Sequence, residues 1–280
     1  MNEVVMVGHR VVGSKGYSFD YHSHQEYEIY IFHAGSCRYL IHNQIYDLHP
    51  GDILLMDGMT LHRPNVQKED EYVRSIIHFS PKWISGILNE LGSHYLLEIF
   101  QQLQHCLIRS NESSELIELE KLIERMDVLA NHMNNKDVQS ETELKVLLLQ
   151  VLVIVHRMSK NKLLDSPYKK DTKAEYTESV AVYVQENFHN KITLDHISKD
   201  LSISKSYISH VFKEMTGFTV MEYVMECRLT QVKYSLEMEP NKALKDIAYD
   251  CGFESVAHFS RFFRKKVGMT AKEYRRLRVK

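Results

Sequence analysis

The chain reads as a two-domain α+β protein, an N-terminal β-barrel or sandwich with flanking helices followed by an all-α C-terminal domain. Three observations predict this. Eight of the eleven glycines lie at or before Gly92, and none falls between Gly92 and Gly217. Short alternating apolar runs with turn residues between them fill the first eighty positions, whereas apolar residues three and four apart dominate from Pro81 onward. Charge divides the chain as well: residues 166–280 carry 20 Lys and Arg against 15 Asp and Glu, and residues 1–165 carry 15 against 22.

A length of 280 residues allows two domains of ordinary size. The start, MNEVVMVGHR, has no basic leader ahead of an apolar core. The longest apolar run, VLLLQVLVIV at 146–155, is about half of the ~20 residues a membrane span needs. Cys37, Cys106, Cys227 and Cys251 are scattered, with no CxxC pair. A reduced, cytoplasmic protein with no membrane partner is the expectation.

Residues 1–80 hold the runs EIYIF, CRYLIHNQIYDL, DILLM and YVRSIIHF, punctuated by turn signals at 33–35, 49–52 and 57–58. In a strand, alternate side chains share a face, so His22, His24 and Glu28 point the same way, with Tyr30 behind them. Two imidazoles and a carboxylate on one face form either a metal site or a polar ligand pocket. Residues 81–165 read as amphipathic helices, packed on the barrel or on a second copy of the chain. Their run VLLLQVLVIV is apolar nearly all round, which favours a homodimer contact. SPYKKDTK, 166–173, is polar and proline-marked and reads as a linker.

Residues 174–280 contain a duplication. ISKDLSISKSYISHVFKEMTGFTVMEY, from Ile197, aligns with IAYDCGFESVAHFSRFFRKKVGMTAKEY, from Ile247. Each copy reads as a short helix, a turn at Ser202-Ile203 or Gly252-Phe253, and a longer helix. Ile208, Val211, Phe212 and Met215 share one face of the first long helix, as Phe259, Phe262, Phe263 and Val267 do in the second. The opposite faces carry Lys205, Ser206, Ser209, His210 and Lys213, and Val256, Ala257, Ser260, Arg261 and Arg264. An apolar face for a core and a polar, basic face for a major groove define a helix-turn-helix. Residues 219–237 between them read as one helix of ~28 Å, close to the ~34 Å between successive major grooves. Promoter DNA is therefore the expected partner.

SKSYISHVFKEMTG, CRLTQVKYSL and DIAYDCGFESVAHFSRFFRKKVGMTAKEYRR resemble the AraC/XylS family of bacterial transcription regulators, over about residues 174–278. The resemblance implies a two-motif DNA-binding domain, with base-reading positions at Ser206, Ser209 and His210 and at Val256, Ala257 and Arg261. It also implies activation of transcription through RNA polymerase. His210 stands where the family usually has Arg, and Ala271 where Pro is common, so a weaker first reading helix and a looser start to the last helix are expected.

The N-terminal spacing of Gly16, His22, His24, Glu28 and Gly35 resembles the cupin pattern, and Gly51 and His62 continue it. Asp57, Met59 and Val66 depart from it. A cupin-like barrel would bring His62 to His22, His24 and Glu28, a donor set suited to Fe(II), Mn, Ni or Zn. Three readings stay open: a cupin-type metalloenzyme with a helical appendage, a metal-containing sensor, and a pocket for a small organic effector lined by His22, His24, Glu28, Tyr30, Arg38 and His62. Tyr and Arg in the lining suit a sugar or a carboxylated metabolite. The duplicated DNA reader in the same chain favours the effector pocket and a regulator that is not an enzyme.

Overall fold

The structure, a computed structural model, describes residues 5–13, 26–41, 43–57, 61–66, 71–100, 107–110, 113–132, 137–162 and 171–278. The N-terminal part contains β1 (Val5–Val12), β2 (Tyr27–Ala34), β3 (Cys37–Ile41), β4 (Gln44–Asp47), β5 (Asp52–Met56), β6 (His62–Val66) and β7 (Val73–Phe79). Then come α1 (Pro81–Glu90), α2 (Tyr95–Glu98), β8 (Leu107–Arg109), α3 (Ser114–His132) and α4 (Val138–Lys162). Two antiparallel sheets form among the described residues, in the orders β1-β7-β2-β5-β8 and β4-β3-β6.

Alternation along each strand sorts side chains into layers. On the five-stranded sheet, Ile29, Ile31, Ile53, Leu55, Ile77 and Phe79 face the helices and form one core with Ile84, Leu88, Leu119, Ile123 and Met126. Their neighbours Tyr30, Phe32, Leu54, Met56 and Ile76 face the other way, into the barrel, and meet Cys37, Tyr39 and Ile41 from the three-stranded sheet. Strands covered on both faces explain the continuous apolar runs EIYIF and DILLM.

Two expectations for residues 81–165 change. The region is not wholly helical, because β8 adds an edge to β5, pairing Ile53 with Ile108. Three residues are too few to display a period. The monomer accounts for most of the apolar run of α4: Leu147, Leu148, Val151, Leu152 and Val155 are all buried in the same core, and Val146 and Val153 of the run are exposed. Leu148 and Leu152 are therefore not dimer contacts.

The C-terminal part is all helix: α5 (Thr172–Asn187), α6 (Leu194–Leu201), α7 (Lys205–Thr216), α8 (Val220–Met238), α9 (Leu244–Asp250), α10 (Val256–Val267) and α11 (Ala271–Arg278). Side-chain caps fix the starts. Asp171, Thr193, Ser204 and Ser255 accept from the third residue onward, and Thr219 with Glu222 makes a full capping box on α8. Thr270 and Glu273 exchange the same pair of bonds at the head of α11, at 2.8 and 3.2 Å. That box supplies the start that Ala271 in place of proline left in doubt.

The two parts share a core. Leu40, Ile45 and Leu61, on the outer face of the small sheet, are buried with Val180, Val184, Val211, Phe212 and Met215 from α5 and α7. The Ile45 amide donates to Glu178 Oε1 of α5 at 2.7 Å.

Candidate nucleic-acid interface and sensor pocket

The two long helices of the duplication have the expected faces. Ile208, Val211, Phe212 and Met215 of α7 are buried, as are Phe259 and Phe263 of α10. Lys205, Ser206, Ser209, His210 and Lys213 are exposed, and so are Ala257, Ser260, Arg261 and Arg264, while Val256 is half-buried. The turns differ in chemistry. Ser202 takes the left-handed conformation itself, at φ 56°. In the second motif Gly252, at φ 83°, presses so closely that a Cβ would lie 2.6 Å from the Phe188 carbonyl oxygen. Beside it the buried Arg228 of α8 donates to the carbonyls of Phe188 and Asn190 at 2.8 and 2.9 Å. This junction ties the second turn, the connecting helix and the α5–α6 loop together. Lys266 of α10 reaches back to the buried Glu226 of α8 at 2.6 Å.

Around α7 the electrostatics are mixed. Glu214 bonds Lys173 of α5 at 2.7 and 2.9 Å and lies 3.6 Å from the His210 imidazole. The Lys173 ammonium holds the Glu214 carboxyl below its ordinary range. The last carbonyls of α7 have an unusual partner: the Asn65 amide of β6 donates to those of Glu214 and Met215 at 2.9 and 3.0 Å. Beside it, Arg38 contacts Asp47 at 2.6 Å and the Met215 sulfur at 2.9 Å. Arg38 thus belongs to the domain junction and does not line the barrel, a correction to the expected pocket. On β3 it alternates with Cys37 and Tyr39, which do face inward. Asn65 carried no sequence signal, since an isolated Asn in a strand has no pattern.

Inside the barrel, Glu28 and His62 meet at 3.2 Å, as the cupin-like spacing predicts. His78, opposite Glu28 in the β2–β7 register, joins them at 3.2 Å. Burial pulls the His78 pKa down, but the Glu28 carboxylate outweighs it and leaves the imidazole above its usual value. Tyr30 is fully buried deeper in, its hydroxyl bonded to that of Tyr72 at 2.8 Å and its ring edge-on to Tyr39. Burial raises all three phenols well above the ordinary tyrosine value. His22 and His24 lie outside the described residues. Among the described residues no group of three His, Cys, Asp or Glu is arranged to hold a metal ion, and no helix is long and apolar enough to cross a membrane.

Comparison with known proteins agrees with this geometry. The AraC-like ligand binding domain matches residues 9–151, and a helix-turn-helix domain matches residues 197–277. The chain is 26% identical over 258 residues to the HTH-type transcriptional activator RhaS of Mannheimia succiniciproducens, covering 92% of this chain and 89% of the relative. It is 24% identical over 266 residues to the Msm operon regulatory protein of Streptococcus mutans, covering 94% and 88%. Among solved structures, ToxT from Vibrio cholerae aligns over 99% of both chains at 14% identity, with a TM-score of 0.38. The family models and the two curated relatives, a transcriptional activator and an operon regulatory protein, point to a transcription regulator and away from the metalloenzyme reading. With a ligand-binding domain at one end and a duplicated helix-turn-helix at the other, the chain belongs to the AraC family of DNA-binding transcription regulators.

Proposed function

We propose that the protein is a cytoplasmic activator whose barrel binds a small polar metabolite beside Glu28, His62 and His78. The observation that carries this reading is that buried cluster. A carboxylate with two imidazoles, walled by tyrosines, is costly to bury and well suited to hydrogen-bond a sugar or a carboxylated ligand. Metal binding by Glu28 and His62 with His22 and His24 is the alternative that their donor chemistry supports. His62, His78 and Glu28 already converge, so each reading predicts that Glu28→Gln disables sensing.

The chain acts as a homodimer on promoter DNA, in contact with RNA polymerase. With Leu148 and Leu152 in the core, the dimer face falls to the exposed apolar residues of the α3–α4 hairpin. Ile117 and Val128 share one stripe of α3, and Val138, Val146 and Val153 one stripe of α4. Lys121 and Glu124 lie between the α3 pair, an order that suits an isologous contact of two antiparallel copies. Ile117→Glu with Val128→Glu should give soluble monomers.

The deciding experiment measures binding of the full chain to the promoter upstream of its neighbouring genes, with and without candidate sugars and carboxylates. Salt-sensitive, sequence-specific binding that responds to one ligand, with Glu28→Gln binding DNA but ignoring the ligand, is the expected outcome. Stoichiometric metal in the purified protein, lost in His62→Ala, would decide for the metal alternative.

A further inference from the structure

The last carbonyls of a helix have no partner within it and must find one outside. In α7 the Lys213 carbonyl is taken by the Gly217 amide, the left-handed cap of the helix. The next two carbonyls, of Glu214 and Met215, are taken by one side chain from the other domain, Asn65. The contact leaves little slack, because a Cβ at Gly217 would stand 3.2 Å from Asn65 Oδ1. Glu214 is thus held at both ends. Its backbone is fixed by the sensor, and its carboxylate lies between Lys173 of α5 and His210 of α7, with the Arg38 guanidinium near enough to favour its charge. His210 is 75% exposed, one turn back along the face that reads DNA.

We propose that Asn65 is a positioning residue of the first reading helix: by capping α7 at Glu214 it sets where His210 reaches, and so which base that helix prefers. The inference rests on the assignment of α7 as a DNA-reading helix. It gives the sensor a direct hold on sequence preference. Strand β6 is only five residues long, and it turns His62 toward Glu28 inside the barrel and Asn65 toward α7 outside. The bordering wall of the pocket and the clamp on the reading helix are one strand, three residues apart.

The test is a position-resolved binding selection with the full chain, comparing the parent with Asn65→Ala, the isosteric Asn65→Asp, Lys173→Met, His210→Ala and Arg261→Ala. Asn65→Asp removes both N–H donors, and Lys173→Met frees Glu214 from the surface side without touching the domain junction. Asn65→Ala, Asn65→Asp and Lys173→Met should each change preference about five-fold or more, since each removes at least one hydrogen bond, at the positions His210→Ala alters. Positions altered by Arg261→Ala should stay as in the parent. A uniform loss across all positions, or a change confined to the Arg261 positions, would overturn the proposal, as would parental preference in Asn65→Asp and Lys173→Met while His210→Ala shifts. If His210→Ala itself leaves every preference unchanged, the assignment of α7 as a reading helix fails instead. Should Asn65→Ala unfold, Asn65→Asp and Lys173→Met still decide.

Discussion

The two helix-turn-helix motifs descend from one sequence pattern but are supported differently. α7 packs against β3 and β6 of the sensor as well as against α5, α6 and α8. Its buried face merges with Leu40, Ile45 and Leu61, and its end is capped by Asn65. α10 packs against α9 and α11, and its core of Val232, Leu236, Ile247, Phe253, Phe259 and Phe263 comes from the C-terminal helices alone. Charge follows the same division. α10 ends in Arg264, Lys265 and Lys266, favourable at a helix C-terminus, whereas α7 has Lys213 beside the acidic Glu214. The second motif is supported by the C-terminal helices, and the first shares its support with the sensor.

Removing the sensor is the strongest way to break this comparison. A fragment of residues 168–280 strips Leu40, Ile45 and Leu61 from the core around α7, a loss of several kcal/mol at about 1.5–3 kcal/mol per large aliphatic side chain. Amide hydrogen exchange should then show α7 opening well before α10. Equal protection in the two helices would mean that the shared core contributes nothing. Operator affinity should fall by about 10²-fold through loss of the proposed dimer, with a steep dependence on salt.

Within the intact chain, the reading residues should differ in weight. Arg261 is exposed on α10 and its guanidinium can pair bidentately with guanine, so Arg261→Ala should cost ~1–3 kcal/mol and relax one base position. His210→Ala should cost less, since an imidazole offers a single contact. A larger loss at His210, measured by titration of labelled operator, would reverse the ranking of the two motifs.

Acid offers a way to loosen the sensor selectively. His33 of β2 is buried against Ser75 and Glu120, at 2.7 and 3.2 Å, and burial lowers its pKa to about 4 despite the nearby carboxylate. The unfolded chain protonates this imidazole near 6.5 and the folded chain resists until about 4. Its contribution is therefore present above pH 6.5 and is lost as pH falls toward 4. Thermal unfolding of His33→Gln should lose less stability over that window than the parent. If both lose the same amount, other groups govern acid sensitivity.

The smallest effect isolates the sensor contact at a single atom. Gly217 and Gly268 close α7 and α10 with nearly equal angles, φ 76° and 77°. A methyl group at Gly268 would meet nothing within 4 Å, while one at Gly217 would press on Asn65 at 3.2 Å. Each Gly→Ala pays the left-handed penalty of about 1 kcal/mol. Only Gly217→Ala should add a further cost, and Asn65→Ala should remove that addition in a double-mutant cycle.

Local chemistry alone determined a good deal of this molecule. The barrel strands, the C-terminal helices and the polar and apolar faces of both long helices follow from residue order, because hydrophobic period acts over a few positions. The spacing of Ile208, Val211, Phe212 and Met215 names the buried side of α7, and that of Phe259 and Phe263 the buried side of α10. The pairing of Glu28 with His62 was legible too, through a spacing pattern that carries its own geometry. Tertiary structure decided what lies opposite each face. The outward residues of β3 and β6 could have met water, and they met α7 instead. That made Arg38 a junction residue and turned Asn65, silent in the sequence, into a helix cap 150 positions away. Likewise the leucines of the apolar run of α4 could have met a second copy or their own sheet, and Leu148 and Leu152 are buried in the monomer core while Val146 and Val153 stay exposed. A hydrophobic face records only that it needs cover, because apolar contact is non-directional and carries no label for its partner.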